Sequence, residues 1–190
     1  MKKILVVVDM QNDFIDGALG TSEARAIVPN VCRKIREGEW DFIFTTHDVH
    51  HNGYLNTQEG KRLPVEHCMA GTDGYLYNDE VGKAFEDYEE KHDELIVDLM
   101  KDTFASCRLP KEITRAVITK YKFATEGELE FHLVGVCTDI CVISNALLLK
   151  SHFPEARIVV DASCCAGSTP EKHLMALEVM RSCQIDILND

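Results

Sequence analysis

Ile4-Leu5-Val6-Val7-Val8-Asp9-Met10-Gln11-Asn12-Asp13-Phe14 is the stretch that decides the fold. Five apolar residues run without a polar interruption. The segment therefore reads as a strand covered on both faces, as in parallel α/β sheets, and not as the alternating strand of a half-exposed one. Asp9 closes the run, and Gln11, Asn12 and Asp13 follow it. Met1-Lys2-Lys3 ahead of it imitates an export signal, but an apolar run this short is not a signal core. The eight cysteines are accordingly expected to be reduced, in the cytoplasm, and mostly buried as small apolar residues.

Similar runs recur along the chain at Phe42 to Thr46, Leu95 to Leu99, Phe131 to Val136, Arg157 to Asp161 and Gln184 to Leu188. Helix signals separate them. Val28-Pro29-Asn30-Val31 leads to Gly38, Asn78 caps a helix through Tyr88, and Pro110 opens one toward Tyr121. Asp139 caps one through Ser151, and Thr169-Pro170 starts one ending near Cys183. Alternating strands and helices predict an α/β chain: a doubly wound, mostly parallel six-stranded sheet with helices on both faces, a Rossmann-like three-layer αβα arrangement. With no linker or repeat in view, residues 1–190 are expected to form a single domain. The irregular stretch from His47 to Tyr77 is long for a connection, and such loops are commonly functional.

Charge narrows the partners. Twenty basic residues against 32 acidic ones leave a net charge of −12, which opposes nucleic acid and anionic membranes, so neither is expected as a partner. No apolar stretch nears the roughly 20 residues of a membrane-spanning helix.

Ligands of such sheets bind at the carboxyl ends of the strands. The polar residues found there are Asp9, then Asp48 and His50, then Lys101, then Gly135-Val136-Cys137-Thr138-Asp139-Ile140-Cys141-Val142. Each alone has a bland reading as a turn residue, a solvated lysine or a buried cysteine. Together they make an acyl-transfer set. A thiol near a helix N-terminus has its thiolate favoured by the dipole, a lysine would lower its pKa further, and a carboxylate can take and return the proton.

Val8-Asp9-Met10-Gln11-Asn12-Asp13-Phe14, Lys101 and Gly135 to Val142, in that order, resemble the isochorismatase-like cysteine hydrolase superfamily. The resemblance implies a catalytic triad of Asp9, Lys101 and Cys141. It also implies a cis peptide between Val136 and Cys137, and an oxyanion hole from the amides of Cys137 and Cys141. Asp48-Val49-His50 and His67-Cys68-Met69-Ala70-Gly71-Thr72-Asp73-Gly74 resemble the nicotinamidase/pyrazinamidase branch. There the matching residues bind a divalent metal, which maps to Asp48, His50 and His67. A carboxylate and two imidazoles suit Zn²⁺, with Fe²⁺ or Mn²⁺ as further options. Glu59 or His51 could add a fourth ligand.

By this resemblance the chain is a nicotinamidase of NAD salvage. It cleaves a small amide through a cysteine thioester, with the metal positioning the pyridine ring and Phe14, Phe104 and Val136 against the substrate; a homo-oligomer is expected. Where that branch usually carries tryptophans, this chain has Val49 and Leu63-Pro64-Val65-Glu66. His47, His51, His92, His132, His152 and His173 are expected to be solvated. The rival within enzymes is a metal-independent hydrolase of another small amide or ureido compound. The rival outside them is a non-catalytic module, which a complete triad argues against. Thiol-disulfide exchange would want Cys-x-x-Cys, a spacing that Cys137 and Cys141 do not have.

Overall fold

The computed structural model describes residues 1–92 and 96–190. Strand β1 (Lys2–Val8) leads through a short helix α1 (Asn12–Ile15) into α2 (Ser22–Glu37) and then β2 (Phe42–Asp48). After α3 (Gln58–Arg62) and α4 (Asp79–His92) come β3 (Val97–Lys101), α5 (Leu109–Tyr121) and β4 (Leu129–Val136). The chain closes with α6 (Ile143–His152), β5 (Arg157–Ala166), α7 (Pro170–Ser182) and β6 (Asp186–Leu188).

All five strand pairs are parallel, in the order β3-β2-β1-β4-β5-β6. The expected three-layer α/β fold is therefore present, and among the described residues the sheet has no antiparallel strand. Ile4 to Val8 are fully buried, and the pleat divides them. Ile4, Val6 and Val8 pack with Phe44 and with Leu109, Ile113, Leu149 and Leu177 from α5, α6 and α7. Leu5 and Val7 pack with Val28, Val31 and Ile35 of α2 and Val81 and Phe85 of α4. Each such side chain contributes about 1.5–3 kcal/mol by leaving water, so a polar residue on either face of β1 would be costly.

Several boundaries differ from expectation. Helix α2 begins at Ser22 and contains Pro29 in its interior. Thr21 is its cap, accepting a hydrogen bond from the Ala24 amide. An apolar face of Ala24, Ile27, Val28, Val31, Cys32 and Ile35 is buried while Pro29 points to solvent; face burial thus outweighs the lost hydrogen bond. Strand β3 begins at Val97 and runs through Lys101; the expected start at Leu95 lies outside the described residues. Asp139 caps nothing. A π-turn over Thr138–Val142 precedes α6, and the Asp139 carboxylate instead accepts from the Ser168 amide and hydroxyl at 2.7 and 2.6 Å. Asn78 and Thr169 do sit as caps, accepting from Glu80 N and Lys172 N.

Register brings the strand ends level. Val8 pairs with Thr46 on one side and Gly135 on the other, and Asp48 pairs with Lys101. Strand order reverses between β1 and β4, the position where open α/β sheets form a crevice.

Candidate active site

At the end of β1 the backbone turns at Asp9, which adopts φ 51°, a left-handed conformation that non-glycine residues rarely hold outside functional sites. The turn sends the Asp9 carboxylate inward, fully buried. Its Oδ1 accepts from Thr46 Oγ1 at 2.6 Å, and its Oδ2 lies 2.7 Å from Lys101 Nζ. Lys101 Nζ also stands 3.2 Å from Asp48 Oδ1 and 3.9 Å from Cys141 Sγ. The three residues expected as a triad therefore converge on one ammonium, and Asp48 joins them.

Electrostatics sets the resting protonation. Burial pushes the Asp9 carboxyl upward, with Lys101 pulling the other way. Burial, reinforced by Asp9, raises the Cys141 thiol well above the ordinary cysteine value, and Lys101 only partly offsets it. Burial opposes the Lys101 charge too, but Asp9, Cys141 and Asp48 together hold the ammonium above its usual range. The sequence leads one to expect that the helix dipole and the lysine lower the pKa of this thiol. Burial instead moves it the other way, because desolvation outweighs the pull of the lysine.

The Val136–Cys137 peptide is cis, as the resemblance implied. Gly135 before it has φ 119°, and a Cβ there would lie 2.1 Å from the Val8 carbonyl oxygen, so only glycine lets β4 approach β1 this closely. The Cys137 carbonyl accepts from the Ile140 and Val142 amides, which curls the π-turn and turns Cys141 toward Asp9. Burial raises the Cys137 thiol as well, to about 12.

A second cluster adjoins the first. His50 Nε2 lies 3.0 Å and His67 Nε2 3.7 Å from Asp48 Oδ2, and the potential ligand atoms of the three residues lie within 4.8 Å of one another. His67 Nδ1 donates to the Val65 carbonyl at 2.8 Å. A carbonyl can only accept, so Nε2 is left with its lone pair toward the carboxylate. His50 Nε2 is buried and, despite its 3.0 Å approach to Asp48 Oδ2, makes no well-aligned hydrogen bond. Lone pairs and a carboxylate facing one another in a buried space fit a first-row divalent cation. Glu59 Oε1 stands 3.8 and 3.9 Å from the two Nε2 atoms, whereas His51 is exposed. Of the two candidates for a fourth ligand, Glu59 is the one at the cluster.

Both clusters border one cavity of about 450 Å³. Phe14, Phe104 and Val136 line it, as do Cys137, Cys141, Asp48 and His67. Phe14 presents its ring edge-on to His67 at 5.5 Å. Leu63 forms part of the wall, in the stretch where tryptophan was absent. Arg62 and Lys172, which sequence reasoning passed over, line the cavity too. Nothing in the local sequence marks them, since only folding brings α3 and α7 to one mouth.

The isochorismatase domain profile matches residues 3–189. A Bacillus subtilis (strain 168) isochorismatase family protein named PncA is 33% identical over 188 residues, 93% of each chain. The chain belongs to the isochorismatase family. Membership supports a hydrolase. Among solved structures of similar fold, the nicotinamidase/pyrazinamidase PncA from Bacillus subtilis superposes with a TM-score of 0.76 at 26% identity, covering 100% of both chains. The N-carbamoylsarcosine amidase from Thermoplasma acidophilum superposes at 0.70 with 26% identity, covering 100% of this chain and 96% of that one.

Four histidines expected in solvent are not there, and one of them, His92, stacks on Tyr88 with its Nε2 buried. His47 is buried against Tyr75 and hydrogen-bonds its carbonyl at 2.6 Å. His132 pairs with Glu130, and His173 with the Thr138 hydroxyl.

Proposed function

We propose that this isochorismatase-family chain is an amidohydrolase that cleaves nicotinamide to nicotinate and ammonia through a cysteine thioester, as a step of NAD salvage. The observation carrying the reading is the single Lys101 ammonium that joins Asp9 at 2.7 Å to the Cys141 sulfur at 3.9 Å beside the Asp48, His50 and His67 cluster.

Asp9 accepts the Cys141 proton as sulfur forms its bond to the amide carbon, and Lys101 balances the charge on both. The carbonyl electrons move to an oxyanion held by the Cys137 and Cys141 amides. Collapse breaks the C–N bond while Asp9 returns the proton to departing ammonia. Water, deprotonated by Asp9, then attacks the thioester, and the C–S bond breaks to give the acid and the Cys141 thiol. Asp48, His50 and His67 would hold a Zn²⁺, Fe²⁺ or Mn²⁺ ion, which supplies an electrophilic anchor for the pyridine nitrogen. Phe14, Val136 and Phe104 form the apolar walls that fit a flat ring.

A second reading has its own support. Arg62 and Lys172 bring two cations to the cavity, and Lys172 is near enough to oppose in part the rise that burial imposes on the Cys137 thiol. A ureido or amide substrate with an anionic arm would find its counter-charge there.

Ammonia release from purified protein tests both. Nicotinamide should be turned over, and Cys141→Ala should reduce the rate by at least about 10³-fold with the fold intact by circular dichroism. Appreciable turnover by the variant would sink the thioester mechanism. A wild-type protein that ignores nicotinamide yet hydrolyses an N-carbamoyl amino acid would favour the second reading.

A further inference from the structure

Beyond Asp9, the post-β1 motif has polar side chains with no place in the chemistry above. Gln11 is fully buried. Its Nε2 donates to the Asp48 carbonyl at 2.9 Å and to the Tyr75 carbonyl at 2.8 Å, and its Oε1 accepts from the Asp48 amide at 2.7 Å. These reciprocal bonds have a backbone cause. The β1–β2 ladder ends at Val8 and Thr46, because β1 turns away at Asp9. Asp48, two residues farther along β2, is left without a strand partner on that side. Buried peptide groups require partners, and a side-chain carboxamide is the one group that copies a peptide, offering both donor and acceptor.

Asp13 does the same work on the other half of the cluster. Its Oδ2 accepts from the Cys68 amide at 2.7 Å and its Oδ1 from the Ala18 amide at 3.1 Å. Cys68 is itself held at φ 45°, fully buried. Its carbonyl accepts from the His50 amide at 3.0 Å, and the Ala70 amide returns a bond to the His50 carbonyl at 2.9 Å. Cys68, the residue after His67, thus joins that histidine to His50 through its carbonyl, and Asp13 anchors Cys68 by its amide. A Cβ on Gly74 would lie 2.0 Å from Asp13 Oδ2, so the seat for this carboxylate depends on a glycine.

We infer that Gln11 and Asp13 are positioning residues that clamp the two halves of the metal cluster, Gln11 fixing Asp48 and Asp13 fixing His67 with His50. The clamp rests on the proposal that Asp48, His50 and His67 bind a divalent ion. It adds that their mutual geometry is imposed from the β1 loop, the same loop that places Asp9 at the thiol.

Zinc affinity of metal-free protein, measured by competition with a chromophoric chelator, tests the clamp. Gln11→Glu keeps the acceptor for the Asp48 amide and loses both N–H donors. Asp13→Asn keeps the shape but can accept only one of the two amides. Each should weaken zinc binding about 10- to 100-fold, the usual effect of losing a group that orients a ligand. The alkylation rate of Cys141, followed by mass spectrometry, should stay at the wild-type value in Asp13→Asn, since the half of the cluster it loosens makes no contact with Lys101. If both variants bind zinc as tightly as wild type, even with a lowered melting temperature, the clamp is refuted and the metal site stands. If wild type itself binds no zinc, the clamp falls together with the metal site. Should one variant fail to fold, the other decides, because the two act on different halves of the cluster.

Discussion

Lys101 is the ammonium on which the candidate site converges. It is nearly fully buried and faces Asp9, Asp48 and the Cys141 sulfur. Taking an ammonium out of water costs several kcal/mol, a cost met here by two carboxylates that would otherwise repel each other. Gly135 shows a steric requirement of equal strictness. Gly135→Ala must force a side chain against the Val8 carbonyl at a backbone angle that L-residues avoid. We expect it to lower unfolding free energy by at least about 2 kcal/mol in urea titrations, and to disturb the neighbouring Cys137 peptide. An unchanged denaturation midpoint would mean that β1 and β4 can separate freely.

Among the elements, α2 illustrates how tertiary burial overrides a local signal. Pro29 lacks the amide that would bond to the Arg25 carbonyl, yet the helix continues from Ser22 to Glu37 because six residues of one face enter the core. Pro29→Ala should restore that hydrogen bond at an exposed position. Allowing for the greater freedom of the unfolded chain, the gain is about 1–3 kcal/mol, visible as a rise in Tm. A fall in Tm would show that the proline ring supports the packing of α2. The same principle explains why Asp139 was misread. An acidic residue before an apolar helix usually caps it, but here the Ser168 amide and hydroxyl compete for the carboxylate from across the fold.

For the whole molecule, stability should depend on pH through Asp161. Burial favours its neutral form, but Lys34 of α2, with Asn189 and Ser163, more than offsets this and holds the carboxyl below its ordinary value of 3.8. Because the folded value lies below the unfolded one, the stabilisation is complete above that ordinary value. It is lost as pH falls through the lower folded value. Asp161→Asn should therefore unfold more easily than wild type at neutral pH, by about 1–3 kcal/mol, and the difference should close in acid. A gap that stays constant with pH would show that the Lys34 ion pair contributes nothing. No helix among the described residues is long and apolar enough to cross a membrane.

Periodicity and capping alone determined the layer architecture, since an unbroken apolar strand followed by an amphipathic helix has few ways to bury itself. The residues at the strand ends were legible for the same reason: a parallel sheet gathers its carboxyl ends at one rim, so Asp9, Asp48, Lys101 and Cys141 had to be near one another. Tertiary structure decided what that nearness does. It pushed the Cys141 thiol up by burying it, and the depth of burial is not written in any local spacing. It selected Glu59 over His51 beside the Asp48, His50 and His67 cluster, and it brought Arg62 and Lys172 to a common cavity. It also turned Gln11 and Asp13, two polar letters of one motif, toward different partners more than 35 residues away. Hydrogen-bond partners so far apart in the chain depend on how the layers close, and only the folded chain fixes that.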